Sequence, residues 1–232
     1  MTPLLAVEGL TKRHRTPRGP VGCVDLSFTL DAGRTLAVVG PSGAGKTTLA
    51  RVLLRLERPD AGRVMFDGRD WLALEGAALR AARPAMQAVF QDTSGALDPR
   101  TRVADALLEP LRIHGRVTEG EAPARVAAML AEVGLDAALA ARHPHELSGG
   151  QRQRVGIARA LALGPRLLIC DEPVSALDAV ARDQVLAVLG ALRRARGLAV
   201  LLIAHDAALV AREADAILAL GPDGRVRPPA SR

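Results

Sequence analysis

Four apolar residues, Leu36-Ala-Val-Val39, run straight into Gly40-Pro-Ser-Gly-Ala-Gly-Lys-Thr47. The apolar run has the length and composition of a buried strand. The glycines let the backbone wrap closely, so that successive N–H groups can point at one anion. A helix is expected to start just after Gly45, and its N-terminus adds positive potential at the same place. The string fits G-x-x-x-x-G-K-[ST] at each fixed position, in the strand-then-helix setting that a phosphate-binding loop requires. In that setting Lys46 reaches between the β- and γ-phosphates as a compact charge, and the Thr47 hydroxyl is placed to ligate Mg2+. A glycine-rich turn arising by chance is the ordinary alternative.

Leu167-Leu-Ile-Cys-Asp-Glu172 weighs against chance. Four apolar residues deliver two acids to one end of a buried strand. In open α/β sheets ligands sit at the carboxyl ends of the strands. There Asp171 would hold Mg2+ through water, and Glu172 would polarise an attacking water as general base. By itself the string is an ordinary acidic strand end; beside the glycine loop it becomes specific.

Val200-Leu-Leu-Ile203 and Ile217-Leu-Ala-Leu220 are further continuous apolar runs, and together these runs point to a parallel sheet buried on both faces. Val24, Leu26, Phe28 and Leu30 instead alternate with polar residues, as in a half-buried antiparallel strand. Helices are expected from Gly45 to near Pro59, over Pro123–Val133 with a Thr118–Glu121 capping box, over Gly149–Leu163, and through Val185–Leu192 to a stop at Gly197. The stretch between Phe90 and Leu167 is mainly helical in pattern. Arg225 to Arg232 is polar and proline-bearing, and is expected to fray.

Leu147-Ser-Gly-Gly-Gln-Arg-Gln-Arg154 offers a second helix N-terminus, with Ser148 as cap and two glycines permitting close approach of an anion. A capped helix with a basic face would explain Ser-Gly-Gly alone. The full string, lying between the glycine loop and the acidic strand, resembles the signature motif of the ABC ATPase family. Three more elements of that family follow its order: Gln91 in Val89-Phe-Gln-Asp92, Ser175-Ala-Leu-Asp178, and His205 after the run ending at Ala204. Singly, Gln91 reads as a surface polar residue, Asp178 as a helix cap and His205 as a core histidine. These elements in order do not arise by accident, and the resemblance covers nearly the whole chain.

The resemblance implies an α/β fold: a P-loop NTPase core with a mainly parallel sheet, an N-terminal antiparallel β subdomain and an inserted α-helical subdomain. Residues 1–232 would form a single ATP-binding domain, with 1–90 and 165–232 as nucleotide-binding core and 91–164 as helical signature subdomain. The cofactors implied are ATP and Mg2+. Gly40, Pro41, Ser42, Gly43, Ala44, Gly45, Lys46, Thr47 and Thr48 would bind the nucleotide. Ser148, Gly149, Gly150, Gln151 and Asp178 would complete the ATP site of an opposing, head-to-tail subunit. Thr47, Gln91 and Asp171 would serve the metal, and Glu172, Gln91 and His205 hydrolysis. The family stacks adenine on an aromatic side chain near the N-terminus. The matching position here is His14, in a chain with no tyrosine; stacking and simple exposure in a basic loop both remain open.

Phe90-Gln-Asp-Thr-Ser-Gly-Ala-Leu-Asp-Pro-Arg100 with Glu109-Pro-Leu111 is similar to peptide and nickel importer ATPases. The resemblance implies a second ATP-binding subunit, identical or different, two transmembrane permease subunits docked along Gln91 to Ile113, and a solute-binding protein. It places the chain peripherally on the cytoplasmic face of the inner membrane. The extra C-terminal segment of many peptide-type members is not expected, which fits a nickel or metal-chelate branch. An exporter subunit and a soluble non-transport ATPase are the alternatives.

Composition agrees with this. No apolar run is long enough to span a bilayer, and Met1 to Glu8 lacks the charge and apolar pattern of a secretion signal. A net charge of +6 would suit nucleic acid only if the cations clustered among aromatics, and aromatics are 2% here, so no nucleic-acid partner is expected. Of 31 basic residues only Lys12 and Lys46 are lysine, so arginine was not substituted at position 46 in a chain that otherwise prefers it. Cys23 and Cys170 stand far apart and read as reduced, buried residues.

Overall fold

The computed structural model describes residues 2–17, 19–90 and 97–227. Two sheets form the frame. The first is antiparallel, in the order β2-β1-β4-β5, from β1 (Leu5–Thr16), β2 (Gly19–Leu30), β4 (Ala61–Phe66) and β5 (Arg69–Asp70). The second is wholly parallel, in the order β6-β7-β8-β3-β9, from β3 (Thr35–Val39), β6 (Met86–Val89), β7 (Leu167–Asp171), β8 (Ala199–Ile203) and β9 (Ala216–Ala219). The four continuous apolar runs are strands of this second sheet, and the alternating run lies in β2, as expected.

The parallel sheet is buried on both faces because its period-two alternation serves two cores. Leu167, Ile169, Leu201 and Ile203 point into a cluster with Leu5, Leu26, Leu49, Leu53 and Trp71 of the antiparallel sheet and first helix. Leu168, Cys170, Val200 and Leu202 point the other way, into a cluster with Leu107, Leu130, Ile157 and Leu189. Each fully buried side chain of this size contributes about 1.5–3 kcal/mol. A short helix, α2 (Gly76–Ala82), precedes β6, and α3 (Val103–Ile113), α4 (Ala122–Glu132) and α5 (Gly149–Leu161) lie between β6 and β7. These three helices share one continuous apolar core with the far face of the sheet.

Helix boundaries follow local chemistry. The first helix, α1 (Lys46–Leu53), stops well short of Pro59. Arg55 takes a left-handed φ of 56°, and the Leu56 N–H closes back on the Arg51 carbonyl at 2.9 Å. The Arg55 guanidinium then donates to the Trp71 carbonyl, which holds this costly turn. Only half of the expected box forms before α4. The Thr118 N–H and hydroxyl both donate to Glu121 Oε2, at 3.0 and 2.6 Å, so the hydroxyl does not cap in return, and the Glu121 N–H bonds the Thr118 carbonyl at 3.1 Å instead. Helix α6 (Ala179–Arg196) ends at Gly197 with φ 63°, and α7 (Ala207–Glu213) completes the helices described.

The C-terminal stretch also differs from expectation. Arg225 to Arg227 is tied down rather than frayed: Arg227 N–H donates to the Ala219 carbonyl at 2.7 Å, and Val226 bridges to Leu220. The cause is β9, an edge strand whose outward backbone groups need partners. Residues 228–232 lie outside the described part.

At the opposite end of the sheet Asp215 accepts from the Thr35 N–H at 2.7 Å, from Arg34 at 2.9 Å and from Arg193 at 2.7 Å. It therefore joins β9, β3 and α6. Burial alone would raise this carboxyl, but the Thr35 N–H and the two guanidiniums together hold it below the ordinary range. Asp215→Ala should cost about 2 kcal/mol in urea unfolding at pH 7, since it strips charge-assisted hydrogen bonds. A depressed folded-state pKa gives stability that is complete above the unfolded value, about 3.9, and lost as pH falls through the folded one. The gap between wild type and variant should therefore close in acid; a pH-independent gap would contradict the linkage.

Candidate nucleotide site

Three neighbouring strands, β7, β8 and β3, end in register, with Asp171 beside Ile203 and Ile203 beside Val38. Each delivers one part of the site. Asp171 and Glu172 leave β7, His205 follows β8, and the glycine loop follows β3. The Thr47 hydroxyl, at the start of α1, donates to Asp171 Oδ2 at 3.0 Å, although 124 residues separate the two. Lys46 Nζ donates to the Gly40 and Pro41 carbonyls at 2.8 and 2.9 Å.

The loop is a cradle that side chains would fill. At Gly45, with φ 87°, a Cβ would lie 2.3 Å from the Gly22 carbonyl carbon; at Gly40 it would lie 2.6 Å from the Leu220 carbonyl oxygen. At Gly43, with φ 83°, a Cβ would meet nothing within 4 Å. The loop is thus clamped by β2 and by the end of β9, and left open where an anion would enter.

Lys46 and Asp171 are both nearly buried, at 7% and 8% exposure. Burial pulls the Lys46 ammonium down from its ordinary value, against the opposing pull of Glu172 and Asp171. Burial raises Asp171 as well; the Thr47 hydrogen bond and Lys46 work against it, and Glu172 adds to it. Each group is disfavoured as an ion by burial and favoured by the other. The Cys170 thiol just behind them is pushed up to about 12 by burial, which leaves it inert at neutral pH.

Glu172 has a left-handed φ of 51° with no glycine to ease it. Such a backbone costs about 1–3 kcal/mol and persists only where its surroundings over-determine it. Here the Glu172 N–H is held by the Ile203 carbonyl at 3.0 Å, and Ser175 returns two donors to the Glu172 carbonyl. The strain turns the carboxylate toward His205, whose Nε2 lies 2.6 Å from Glu172 Oε1. A cavity of about 240 Å³ opens beside this pair, lined also by Arg182 and Asp206.

The Ser148 tip lies elsewhere. Ser148 Oγ accepts from the Gln151 N–H at 3.2 Å and Gln151 Oε1 accepts from the Ser148 N–H at 3.0 Å, a complete capping box on α5. Gly149 approaches Leu177 and Gly150 approaches Ala181, where a Cβ on Gly150 would lie 2.8 Å from the alanine methyl. Asp178 caps α6 by accepting from the Ala181 N–H at 2.9 Å. The tip therefore sits on the start of α6, and among the described residues no hydrogen bond or ion pair links it to the cradle. His14 lies on β1 opposite Val21, in the hairpin that clamps Gly45, with Nε2 3.0 Å from Glu57 Oε2. Gln91 lies outside the described residues.

Sequence reading did not single out Arg182 or Asp206. The available signals were modest: Asp206 adjoins His205 and precedes a helix, and Arg182 stands one helical turn after Asp178.

The sequence profile of the ABC transporter family matches residues 23–175. The chain belongs to the ABC transporter family. This ABC ATPase is 43% identical over 220 residues to the "Putative peptide import ATP-binding protein" of Brucella ovis, spanning 94% of this chain and 69% of that one. It is 45% identical over 218 residues to the glutathione import ATP-binding protein GsiA of Escherichia coli, spanning 90% of this chain and 35% of GsiA. Among solved structures it resembles the dimeric ATP-binding cassette MJ0796 bound to ADP and phosphate, with TM-score 0.85, 29% identity and 97% of each chain covered. It is similar also to CbiO1 of Clostridium perfringens, part of the ABC transporter complex CbiONQ, with TM-score 0.85, 26% identity, 98% of this chain and 88% of that one. The parallel sheet, antiparallel sheet and helices are those of an ABC ATPase, which binds ATP and couples its hydrolysis to transport.

The two loop glycines should separate in experiment. Gly43→Ala meets only the left-handed φ and should cost about 1–2 kcal/mol of stability. Gly45→Ala must also displace the β2 backbone, so its thermal unfolding should fall further and its ATP affinity should drop with it. Equal effects of the two substitutions would contradict the clamp.

Proposed function

We propose that this ABC ATPase drives import of peptides or peptide-like solutes, with its ATP hydrolysed at the strand edge holding Lys46, Thr47, Asp171, Glu172 and His205. The observation that carries this is the convergence of loop, acids and histidine on three adjacent strands. The solute class rests on the names of the peptide and glutathione importers it resembles.

The backbone N–H groups of Gly40 to Thr48 grip the triphosphate, with Pro41, Ser42 and Ala44 shaping the turn between the glycines. Lys46 leaves its two carbonyl partners for the β- and γ-phosphates, which match its charge far better. The oxygen donors Thr47 and Asp171 fit Mg2+, a hard cation that takes few protein ligands, and Gln91 joins them. When bound, Mg2+ neutralises charge on the phosphoryl oxygens. Glu172 Oε1 accepts the proton of the attacking water as the new oxygen–phosphorus bond forms and ADP leaves. His205 contacts the γ-phosphate and holds Glu172 in line. The imidazole of His14 stacks on adenine.

The Ser148, Gly149, Gly150 and Gln151 tip, with Asp178 beside it, closes on the nucleotide of a second ATP-binding subunit arranged head to tail. Among the described residues no hydrogen bond or ion pair ties this helix N-terminus to its own cradle, which leaves it available for such an arrangement. Two permease subunits dock on the groove of about 450 Å³ lined by Phe90, Ile113 and Arg159, and a solute-binding protein delivers cargo to them. None of the helices described is long and apolar enough to cross a membrane, so contact with the cytoplasmic face of the inner membrane runs through the permeases. Residues 91–164 act as the unit that transmits closure to them.

Glu172→Gln should keep ATP binding while lowering phosphate release by at least about a hundredfold, the usual worth of a general base. Lys46→Ala should lose nucleotide affinity. Rapid turnover by the first variant would refute the base assignment, and undiminished affinity in the second would refute the cradle. ATP-dependent peptide uptake by vesicles carrying the reconstituted transporter tests the cargo.

A further inference from the structure

We propose that Arg182 is a positioning residue for hydrolysis: through Asp206 it holds His205 against Glu172. This rests on the ATPase reading above.

His205 is half exposed, and among the described residues its side chain pairs with Glu172. Its place therefore depends on the backbone at the end of β8, and Asp206 fixes that backbone. One Asp206 oxygen, Oδ1, accepts from the Ala208 and Leu209 N–H groups at 2.9 and 3.2 Å and starts α7. The other, Oδ2, receives Arg182 Nη1 at 3.3 Å. Both carboxylate oxygens are thus used, one to begin a helix and one to tie that helix to α6.

Arg182 comes from the first turn of α6, where its N–H bonds the Asp178 carbonyl at 2.9 Å. Its Nε is buried without a hydrogen-bond partner. The side chain lines the same cavity as Glu172, His205 and Asp206. A second ion pair, Arg212 with Asp183 at 3.0 Å, ties α7 to α6 on the far side. Loss of Arg182 would therefore leave the fold and the α7 cap standing but free the near side of the histidine turn. The start of α6 is also the surface on which Gly150 rests. Arg182 thereby stands between the tip serving one nucleotide and the histidine serving the other.

The test uses the assembled transporter with three variants. Arg182→Met keeps length and loses charge. Asp206→Asn keeps a good helix cap and loses charge. The third combines both. Each single change should lower kcat about tenfold with KM for ATP within about twofold, the mark of an interaction used mainly in the transition state. The double variant should fall no further than either single one, because the two act as a unit. Arg182→Lys should restore kcat to within about threefold of wild type. Melting temperatures should stay within about 3 °C, as the far ion pair remains. Wild-type kcat in Arg182→Met, additive losses in the double variant, or a kcat loss matched by a large fall in melting temperature would each overturn the proposal. If wild type turns over, Glu172→Gln does not, and Arg182→Met runs at the wild-type rate, only this inference fails. A wild-type assembly without turnover would remove both.

Discussion

The hydrogen bond from the Thr47 hydroxyl to the Asp171 carboxylate joins two segments that have no reason to meet except the sheet. Threonine opens the helix after β3, and aspartate closes β7, with β8 between them. For the bond to form, three parallel strands must end level and α1 must start at once from a loop with no side chains to spare room. The apolar runs of β7, β8 and β3 enforce the first condition by burying alternate residues in two separate cores. Gly45, wedged against Gly22, enforces the second. A slip of one residue in any of these strands would exchange the two cores and misplace an acid.

The site holds groups that a folding protein would avoid on stability grounds alone. A lysine and an aspartate are buried at the same sheet edge, and a glutamate is held with φ 51°. Each is tolerated because neighbouring groups offset part of its cost. Lys46 borrows two carbonyls, Asp171 accepts one hydroxyl, and Glu172 is anchored by β8 and Ser175. These partners are weaker than a triphosphate and a divalent cation would be, so binding of those ligands here would relieve the same groups that folding strained. On the proposed function the cluster would respond to nucleotide, with His205 as its exposed member.

Much of this was legible in the chain itself. Strand runs such as Leu36–Val39 declared themselves through unbroken apolarity, and the loop and the Ser148 tip through glycine spacing with a cap. The boundaries were less legible. The stop of α1 depends on Arg55 adopting a left-handed turn, which its residue type does not announce. The tying down of Arg225–Arg227 depends on the open edge of β9, a property of strand order. Arg182 was hidden for the same reason, since its contact with Asp206 joins α6 to the start of α7. Sequence patterns register what a residue does for its own element, and these residues work between elements.

The cradle and the tip, although in one chain, face different surroundings. What unites the account is the claim that Thr47 and Asp171 prepare an oxygen site for Mg2+ at the mouth of the loop. Titration of ATP into the transporter at fixed protein concentration, with Mg2+ and then with a chelator, tests this most directly when repeated on Thr47→Val. The account predicts that Mg2+ tightens ATP binding and permits phosphate release in wild type, and that both effects largely vanish in the variant. Equal affinity and equal phosphate release with and without the metal, or an unchanged response in Thr47→Val, would contradict it.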